Sequence, residues 1–366
     1  MSEFKVQSAT EIIESNVFGQ LKSYGHEEIL FCQDPESGLK AIIAIHNTVL
    51  GPALGGTRMW NYSSEAEALQ DVLRLSQGMT YKNSISGLDL GGGKAVIIGD
   101  SRTMKSEALF KRFGYFVNTL SGKYITAEDV GISPEDMVHV SSQTKHVAGL
   151  PGKSGDPSPL TAFGVYMGMK ACAKIQFGND SLENKIIGVQ GVGHVGEYLV
   201  EHLTKEGAKV YITDIHEDTI KRVIDKFGVQ FVDKEQIFDL PMDIYAPCAL
   251  GATVNESTIS RLKCSIIAGA ANNQLKEDAH GKILLEKGIL YAPDFVINAG
   301  GVINCFSEVK GYDIKWSYEK AGEIFNTVES IVKKSLDMNI TSHEIAKILA
   351  EERIQKKIKE QKSDAQ

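Results

Sequence analysis

The sequence lacks several features, and each absence removes a class of function. The chain has 366 residues, yet no run approaches the roughly 20 consecutive apolar residues that span a bilayer. Its formal net charge is -8 and no basic cluster lies outside the C-terminal tail, so we expect neither a nucleic-acid nor a membrane partner. Residues 1–5 show no secretory pattern, which favours a cytoplasmic protein.

The cysteines lack the arrangement of a metal site or a disulfide framework. They are odd in number, widely scattered, and never form a CxxC pair or lie beside a histidine at metal-ligand spacing. We therefore expect reduced thiols and predict no metal. The five are Cys32, Cys172, Cys248, Cys264 and Cys305.

The length and composition predict two globular domains with an expected cleft between them. A chain of 366 residues exceeds the size at which one core keeps growing, and 42% hydrophobic residues suffice for a core in each domain. Residues 144–159 are rich in Gly, Pro and Ser, and we interpret them as the crossing, the segment in which the chain passes from the first domain to the second. We place the first domain at residues 1–148 and the second at 149–336, with residues 337–366 packing back on the first.

Hydrophobic periodicity predicts a mixed sheet in the first domain. We expect a long helix that begins after the capping residue Ser64 and carries Lys82 near its end. A short strand over 95–98 and another over 124–127 place Lys94 and Asp129 at strand edges. Further helices are predicted over residues 10–22 and 106–120, and further strands over 29–32, 39–45 and 51–54.

The second domain is predicted to be a doubly wound α/β fold of the Rossmann type, so the overall class is α/β. An apolar strand over 186–190, a glycine turn, a helix and a strand over 209–214 form a βαβ unit. Apolar runs near 244–246, 265–268 and 289–291 continue the alternation. Helices are predicted over 161–174, 319–336 and 344–358.

The glycine turn has the spacing of a dinucleotide site. It reads Gly191-Val192-Gly193-His194-Val195-Gly196 between the strand and the helix, where glycines permit a tight bend and a close approach of diphosphate. Asp214 closes the next strand, where a carboxylate can bind the adenosine ribose and disfavour a 2′-phosphate, which points to NAD over NADP. Lys221 and Arg222 lie close by in sequence. The alternatives are a plain glycine loop and a helix-capping Asp214.

A second group of residues suits a small anionic substrate. Lys82 precedes the run Gly91-Gly92-Gly93-Lys94, and Asp129 follows later in the chain. Two cations and a carboxylate near glycine backbone, together with a dinucleotide turn, suggest hydride transfer on a small charged molecule. The alternatives are a tight turn with an exposed amine at Lys94 and a helix-capping Asp129.

Several ordered motifs make the chain resemble the glutamate, leucine, phenylalanine and valine dehydrogenase family. They run from the first domain through the crossing to the end of the second, so the resemblance covers nearly the whole chain. It implies NAD-linked, reversible oxidative deamination of an L-amino acid to a 2-oxo acid and ammonium. The motifs are Gly55-Gly56-Thr57-Arg58, 78–83, 91–94, 129–131, 155–161, 270–274 and 298–302.

The resemblance also implies roles for individual residues. Lys82 would bind the substrate carboxylate, Lys94 would be the general base and Asp129 would hold the amino group and exchange protons. Burial and a neighbouring cation, for which Lys82 is a candidate, would lower the pKa of Lys94. The Asn273 amide would contact the substrate, and the Thr161 hydroxyl and the Asn272 and Asn298 amides would contact the cofactor. The alternative is that the asparagines only stabilise the turns in which they lie.

The resemblance extends to substrate preference. Leu54 stands where glutamate-specific members have a lysine, so a buried distal carboxylate would have no partner. An apolar pocket is implied, although its residues could be ordinary core: Leu54, Gly55, Met79, Ala127, Val302 and Cys305. We expect leucine, with valine and isoleucine, because one methylene changes binding by only about 1 to 3 kcal/mol.

Other functions stay open at this point. An aromatic-amino-acid dehydrogenase of the same family is the main alternative. A 2-hydroxy-acid dehydrogenase would use a histidine with an arginine clamp, and no histidine falls in the substrate motifs. A non-catalytic NAD-binding regulator would need neither Lys94 nor Asp129. Apolar strands near the start favour a homo-oligomer, either an octamer or a dimer.

Overall fold

The computed structural model describes residues 16–249 and 251–364, which form two compact units. The first unit runs to Lys153 and includes the chain from Ile354 onward, and the second runs from Ser154 to Arg353. From the sequence, we predicted that the first domain ends at residue 148 and that the chain packs back on this domain from about residue 337. Residues 10–15 of the first predicted helix lie outside the described part of the chain.

The first unit is built on a mixed sheet, as predicted. In the described chain this sheet has five strands in the order β1-β2-β4-β3-β5. β2 is antiparallel to β1 and β4, whereas β3 is parallel to β4 and β5. The elements are α1 (Val17–Tyr24), β1 (Glu28–Asp34), β2 (Leu39–Asn47), β3 (Ala53–Trp60), α2 (Glu65–Ile85), β4 (Gly91–Ile98), α3 (Glu107–Thr119), β5 (Tyr124–Glu128) and α4 (Pro134–Ser141).

Both faces of this sheet are covered. Helices α3 and α4 pack on one face around Phe110 and Phe113, and α2 packs on the other around Val72 and Leu73. Ser64 accepts a hydrogen bond from the Glu67 N–H at 3.1 Å, which confirms the predicted cap of α2. The α2 face is where the candidate acid and base lie.

The second unit is the predicted doubly wound fold. In the described residues its sheet is parallel, with six strands in the order β11-β10-β9-β6-β7-β8. The order reverses between β6 and β9, and ligands of such sheets bind at the carboxyl ends of the strands at this point. The strands are β6 (Ile186–Gln190), β7 (Lys209–Thr213), β8 (Gln230–Phe231), β9 (Ile244–Pro247), β10 (Ile266–Ile267) and β11 (Leu290–Tyr291).

One helix predicted for the second unit needs correction. The single helix predicted over 319–336 is wrong, because two helices meet at Glu323, directly after Gly322. None of the helices in the described chain combines the length and apolarity needed to cross a bilayer. The helices are α5 (Ser158–Phe177), α6 (His194–Lys205), α7 (Glu217–Phe227), α8 (Glu256–Ile259), α9 (Asp278–Glu286), α10 (Asp294–Ile297), α11 (Gly300–Val309), α12 (Ile314–Gly322), α13 (Ile324–Met338) and α14 (Ser342–Asp364).

Candidate active site

Lys94 lies in the middle of a central strand rather than at a strand edge, so that part of the prediction is wrong. It belongs to β4, pairs with Ala44 of β2, and is 6% exposed. The three preceding glycines are strand residues as well. A lysine fixed in this way is a buried amine, which excludes the alternative of a tight turn with an exposed amine.

Asp129 directly follows β5 and forms an ion pair with Lys94. The distance from Lys94 Nζ to Asp129 Oδ2 is 2.8 Å, and the Asp129 side chain is 24% exposed. The alternative that Asp129 caps a helix is excluded, because Ser133 caps the next helix, α4. The structure therefore places a partly exposed carboxylate against a buried amine.

Arg58 is a third charged group of this site. It belongs to one of the family motifs in the sequence, but no role was predicted for it. Its Nε donates to Asp129 Oδ2 at 3.1 Å, and its Nη1 donates to Asp71 Oδ2 at 3.0 Å. Asp71 lies on α2 and also accepts from the Tyr62 hydroxyl at 2.7 Å and from Arg74 at 2.9 Å. The charges thus form a continuous network from β4 to α2.

The network shifts the pKa values of its members. Burial lowers the pKa of Lys94; the Asp129 carboxylate opposes this and Arg58 adds to it, so the pKa stays below the ordinary value. The cation that lowers it is Arg58, where the sequence pointed to Lys82. Burial alone would raise the pKa of Asp129, but Lys94 and Arg58 hold it below its usual range. Asp129 is therefore a carboxylate at neutral pH, and it lies beside an amine whose pKa is below its ordinary value.

Two glycines allow this packing because their neighbours leave no room for a side chain. A Cβ on Gly56 would lie 2.4 Å from the Glu128 oxygen and 3.0 Å from Asp129 Cβ. A Cβ on Gly92 would lie 2.1 Å from the backbone nitrogen of Thr80 in α2. The glycines therefore let β5 and α2 approach the strands that carry Arg58 and Lys94.

Lys82 lies in the last turn of α2 and is partly buried. The next residue, Asn83, is fully buried and donates to the Gly91 oxygen at 2.6 Å and to the Leu54 oxygen at 3.4 Å. These bonds fix the end of the helix on β3 and β4. No role was predicted for Asn83, and its place next to Lys82 in the same motif was the one available signal for such a contact.

The apolar residues predicted for the pocket fall on both units. Leu54 is 2% exposed and Ala127 6% exposed, on the neighbouring strands β3 and β5. A Cβ on Gly55 would lie 3.1 Å from Met79 Cγ, so these two positions are in contact. Val302 and Cys305 lie one turn apart on α11 of the second unit.

The glycine turn of the second unit fits a dinucleotide diphosphate. Gly191 has φ +95°, and a Cβ on Gly196 would lie 2.1 Å from the Gly191 oxygen, so α6 begins directly against the turn. A Cβ on Gly193 would meet no atom within 4 Å, which leaves open space before the N-terminus of α6. Val192 is buried, and His194 and Val195 form the first turn of the helix. Backbone N–H groups and the helix dipole thus face a space suited to phosphate.

Asp214 directly follows β7, and its side chain binds the backbone of the glycine turn. Its carboxylate accepts the Val192 N–H at 2.8 Å and the His216 N–H at 3.0 Å. The alternative of a capping Asp214 is excluded, because His216 is the residue that precedes α7. Arg222 lies on α7 and is paired with Glu197 of α6 at 2.9 Å.

The predicted polar residues of the second unit lie on three segments. Thr161 is buried on α5 and donates to the Pro157 oxygen at 2.9 Å. Asn298 donates to the Asn272 side-chain oxygen at 2.7 Å, which brings these two amides together. Asn273 is exposed and has φ +52°, a left-handed conformation that asparagine tolerates. Asn273 therefore has a clear backbone role in its turn.

Comparison with known proteins decides the family. The profile of the Glu/Leu/Phe/Val dehydrogenase dimerisation domain matches residues 26–146, and that of the glutamate/leucine/phenylalanine/valine dehydrogenases matches residues 211–362. A leucine dehydrogenase of Thermoactinomyces intermedius is 54% identical over 342 residues, which cover 93% of each chain. This chain belongs to the glutamate/leucine/phenylalanine/valine dehydrogenase family.

Two relatives named for aromatic amino acids are less similar to this chain. A phenylalanine dehydrogenase of Caldalkalibacillus thermarum is 47% identical over 91% of this chain and 92% of that protein. The crystal structure of L-tryptophan dehydrogenase from Nostoc punctiforme superposes with a TM-score of 0.85 at 41% identity, covering 93% of this chain and 99% of that one. The predicted family and fold class are confirmed, and the protein is an amino-acid dehydrogenase that uses a nicotinamide dinucleotide.

Proposed function

We propose that the protein catalyses the reversible, NAD-dependent oxidative deamination of branched-chain L-amino acids to 2-oxo acids and ammonium. Leucine is the preferred substrate, and valine and isoleucine also react. The observation that carries this proposal is the buried Lys94–Asp129 ion pair, with 2.8 Å between Nζ and Oδ2, in a chain 54% identical to a leucine dehydrogenase. Such a pair can exchange protons with an amino group and with attacking water.

The first unit is proposed as the substrate-binding and catalytic domain. Lys82 binds the substrate α-carboxylate as a point charge. Asp129 binds the substrate ammonium group and takes one proton from it. Lys94 in its unprotonated form, which burial favours by lowering its pKa, removes a proton from the water that attacks the iminium carbon. Asp129 then returns its proton to the nitrogen of the resulting amino alcohol, the nitrogen departs as ammonia, and the hydroxyl proton passes to the freed Asp129 carboxylate as the 2-oxo acid forms.

The second unit is proposed as the dinucleotide-binding domain. NAD bound at its glycine turn would supply the acceptor for the hydride that leaves the substrate Cα. We place residues 191–196 at the diphosphate, Asp214 at the adenosine ribose, and Thr161, Asn272 and Asn298 at the nicotinamide. Two features support NAD over NADP: the Asp214 carboxylate would repel a 2′-phosphate, and the Arg222 guanidinium is engaged by Glu197.

The proposed preference for leucine rests on the apolar character of the residues that the sequence assigns to the side-chain site. Leu54, Gly55, Met79 and Ala127 of the first unit are apolar, as are Val302 and the Cys305 thiol on α11, and Asn273 is proposed to contact the substrate from its turn. A substrate carboxylate buried against Leu54 would have no partner. Because apolar pockets separate homologous aliphatic chains weakly, the three branched-chain amino acids should share the site.

A panel of L-amino acids, each with NAD and with NADP, tests substrate and cofactor together through the absorbance of the reduced cofactor. We expect activity with leucine, valine and isoleucine, little with glutamate, and a preference for NAD. Faster oxidation of phenylalanine than of leucine would establish the aromatic alternative. In the reverse direction, NADH oxidation that does not require ammonium would identify a 2-hydroxy-acid dehydrogenase instead.

The Lys94→Ala variant tests the proposed base, and Lys105→Ala is its matched control. Lys105 is also ion-paired with an aspartate of the first unit, Asp136, but lies outside the charge network of Asp129. We expect Lys94→Ala to lose turnover while the fold and NADH binding persist, and Lys105→Ala to keep turnover. Intact turnover in Lys94→Ala would refute the mechanism and favour a non-catalytic role for the dinucleotide site.

A homo-oligomer, either an octamer or a dimer, is proposed as the working assembly. The matched profile of the first unit is that of a dimerisation domain. Strand β1 lies at an edge of the sheet with Phe31 56% exposed, and Phe18 of α1 is 85% exposed. Light scattering after size-exclusion chromatography measures the subunit number, and a monomer would refute the proposal. The proposed location is the cytoplasm, where scattered cysteines stay reduced.

A further inference from the structure

Arg58 occupies a distinctive place in the first unit, because it links the acid/base pair to helix α2. Through Nε it donates to Asp129 Oδ2 at 3.1 Å, and through Nη1 to Asp71 Oδ2 at 3.0 Å. Its side chain is 22% exposed and lies on β3, the strand between β4 and β5. A planar guanidinium with two occupied donors cannot rotate without breaking one of these bonds.

We propose that Arg58 is a positioning residue for the deamination chemistry, which holds the Asp129 carboxyl group in a fixed orientation while Asp129 and Lys94 gain and lose their protons. This inference rests on the proposed function. It assigns to Arg58 no contact with the substrate and no proton transfer. Arg58 acts through Asp129, and Asp71 holds Arg58 in place.

The shared oxygen explains why a second cation is needed. Lys94 and Arg58 both approach Asp129 Oδ2, at 2.8 and 3.1 Å. When Lys94 serves as the base it is neutral for part of the cycle, and the ion pair with Asp129 is then lost. Arginine stays charged throughout, so Asp129 keeps one fixed cationic partner in both states of Lys94. The carboxylate can therefore hold the substrate amino group in a constant position.

The anchor on α2 is itself well held. Asp71 accepts hydrogen bonds from the Tyr62 hydroxyl at 2.7 Å and from Arg74 at 2.9 Å, besides that from Arg58. These bonds and the charge of Arg58 offset the burial of Asp71 and keep its pKa below the usual value. The anchor is thus a carboxylate at any pH at which the enzyme works.

Removing the charge of Arg58 has a defined effect on the pH profile. The charged or titratable groups around it are Lys94 on β4, Asp129 after β5, Tyr62 after β3, and, on α2, Asp71 with its partner Arg74, and Glu67, which lines the same cavity as Arg58. Arg58 lowers the pKa of Lys94, so without it that pKa rises. A larger fraction of Lys94 is then protonated at neutral pH. The acid limb of kcat/KM should therefore move to higher pH.

The experiment compares Arg58→Gln, Arg58→Lys and the control Arg74→Gln in the assembled enzyme. Arg58→Gln should show the upward shift of the acid limb and a fall of kcat of about 100-fold, the lower end of the range for lost acid–base function, with KM for NAD unchanged. Arg58→Lys keeps the positive charge but lacks the planar guanidinium that binds two carboxylates. The acid limb of its kcat/KM profile should therefore match that of the wild type, while kcat stays reduced. Arg74→Gln, which touches Asp71 but not Asp129, should keep the wild-type pH profile.

The inference is overturned if Arg58→Gln has the wild-type pH profile and a kcat that falls only with the fraction of folded protein, measured as NADH-binding sites. If Arg58→Gln does not fold, Asp71→Asn replaces it, since this change weakens the anchor and leaves Arg58 in place. It should then lower kcat, and an unchanged kcat would likewise overturn the inference. All variants are assayed with whichever L-amino acid the wild type oxidises fastest, so a wrong substrate assignment stays distinguishable.

Discussion

Replacing Asp129 with asparagine tests the acid/base pair most directly. Asparagine preserves the shape of the side chain but removes the charge that faces Lys94 Nζ at 2.8 Å. The amide cannot accept the substrate proton, so we expect kcat to fall by a factor of about 10² to 10⁴, the usual contribution of general acid–base catalysis. Binding of NADH should be unchanged, because the proposed dinucleotide residues lie on the second unit.

The same substitution has a predictable effect on stability. Cutting a buried ion pair costs about 3 to 5 kcal/mol when the remaining charge stays buried. Lys94 can instead lose its proton, because burial already lowers its pKa and the opposing carboxylate is gone. The residual cost is then that of an imperfectly paired polar group, about 1 to 3 kcal/mol. We expect a destabilised but folded protein at neutral pH.

The sign of the pH effect follows from linkage. A lysine whose pKa is lower in the folded than in the unfolded chain binds fewer protons when folded, so stability falls as the pH falls below about 10.4. In the variant the folded-state pKa of Lys94 is lower still, because the carboxylate that raised it is gone. The loss of folding stability therefore continues to a lower pH than in the wild type, at about 1.4 kcal/mol per pH unit. The difference from the wild type should therefore widen as the pH is reduced from 10 toward 7.

Three measurements check this prediction: kcat, NADH affinity by fluorescence, and urea unfolding at several pH values. Asp136→Asn is the matched control, since Asp136 pairs with Lys105 and is 13% exposed but lies outside the network. It should lose stability and retain kcat. An equal loss of NADH affinity in Asp129→Asn, or undiminished turnover, would show that the proposed role of Asp129 is incorrect.

Three further substitutions give distinct outcomes. Leu54→Lys places an ammonium at a position now 2% exposed, so relative kcat/KM should move toward acidic amino acids, and no movement would remove Leu54 from the pocket. Gly56→Ala puts a Cβ 2.4 Å from the Glu128 oxygen, and we expect about 1 to 3 kcal/mol of destabilisation with reduced kcat; wild-type values of both would refute the steric argument. Asp214→Ser removes the carboxylate beside the Val192 N–H, so kcat/KM should fall with NAD and rise with NADP, and an unchanged ratio would contradict the ribose assignment.

Local sequence patterns predicted the fold class and most elements. The period of α2 and its cap at Ser64 depend on neighbouring residues, so they were visible in the sequence. The strand β4 was predicted too short because glycine usually marks turns. Its glycines are instead required by neighbours distant in sequence: a Cβ on Gly91 would lie 1.9 Å from the Asn47 oxygen. No local pattern reports such an approach.

The network around Arg58 was missed for a related reason. Its partners are 13 and 71 residues away along the chain, at Asp71 and Asp129. The sequence nevertheless held one local indication of this network. Arg58 follows Gly56 by two residues, so both residues lie on the same face of the strand. An arginine on that face requires a buried anion, and Asp129 was already a candidate. The identity of the second anion could come only from the packing of α2.

Lys94 belongs to a strand with partners on both sides, and this placement has a consequence for heat inactivation. Amides in the centre of a sheet open only when the whole cooperative unit unfolds, whereas loops open at a much smaller free energy. The geometry of the proposed base should therefore survive every local fluctuation that leaves the sheet of the first unit intact. On heating, the Lys94 amine should keep its place until this unit melts.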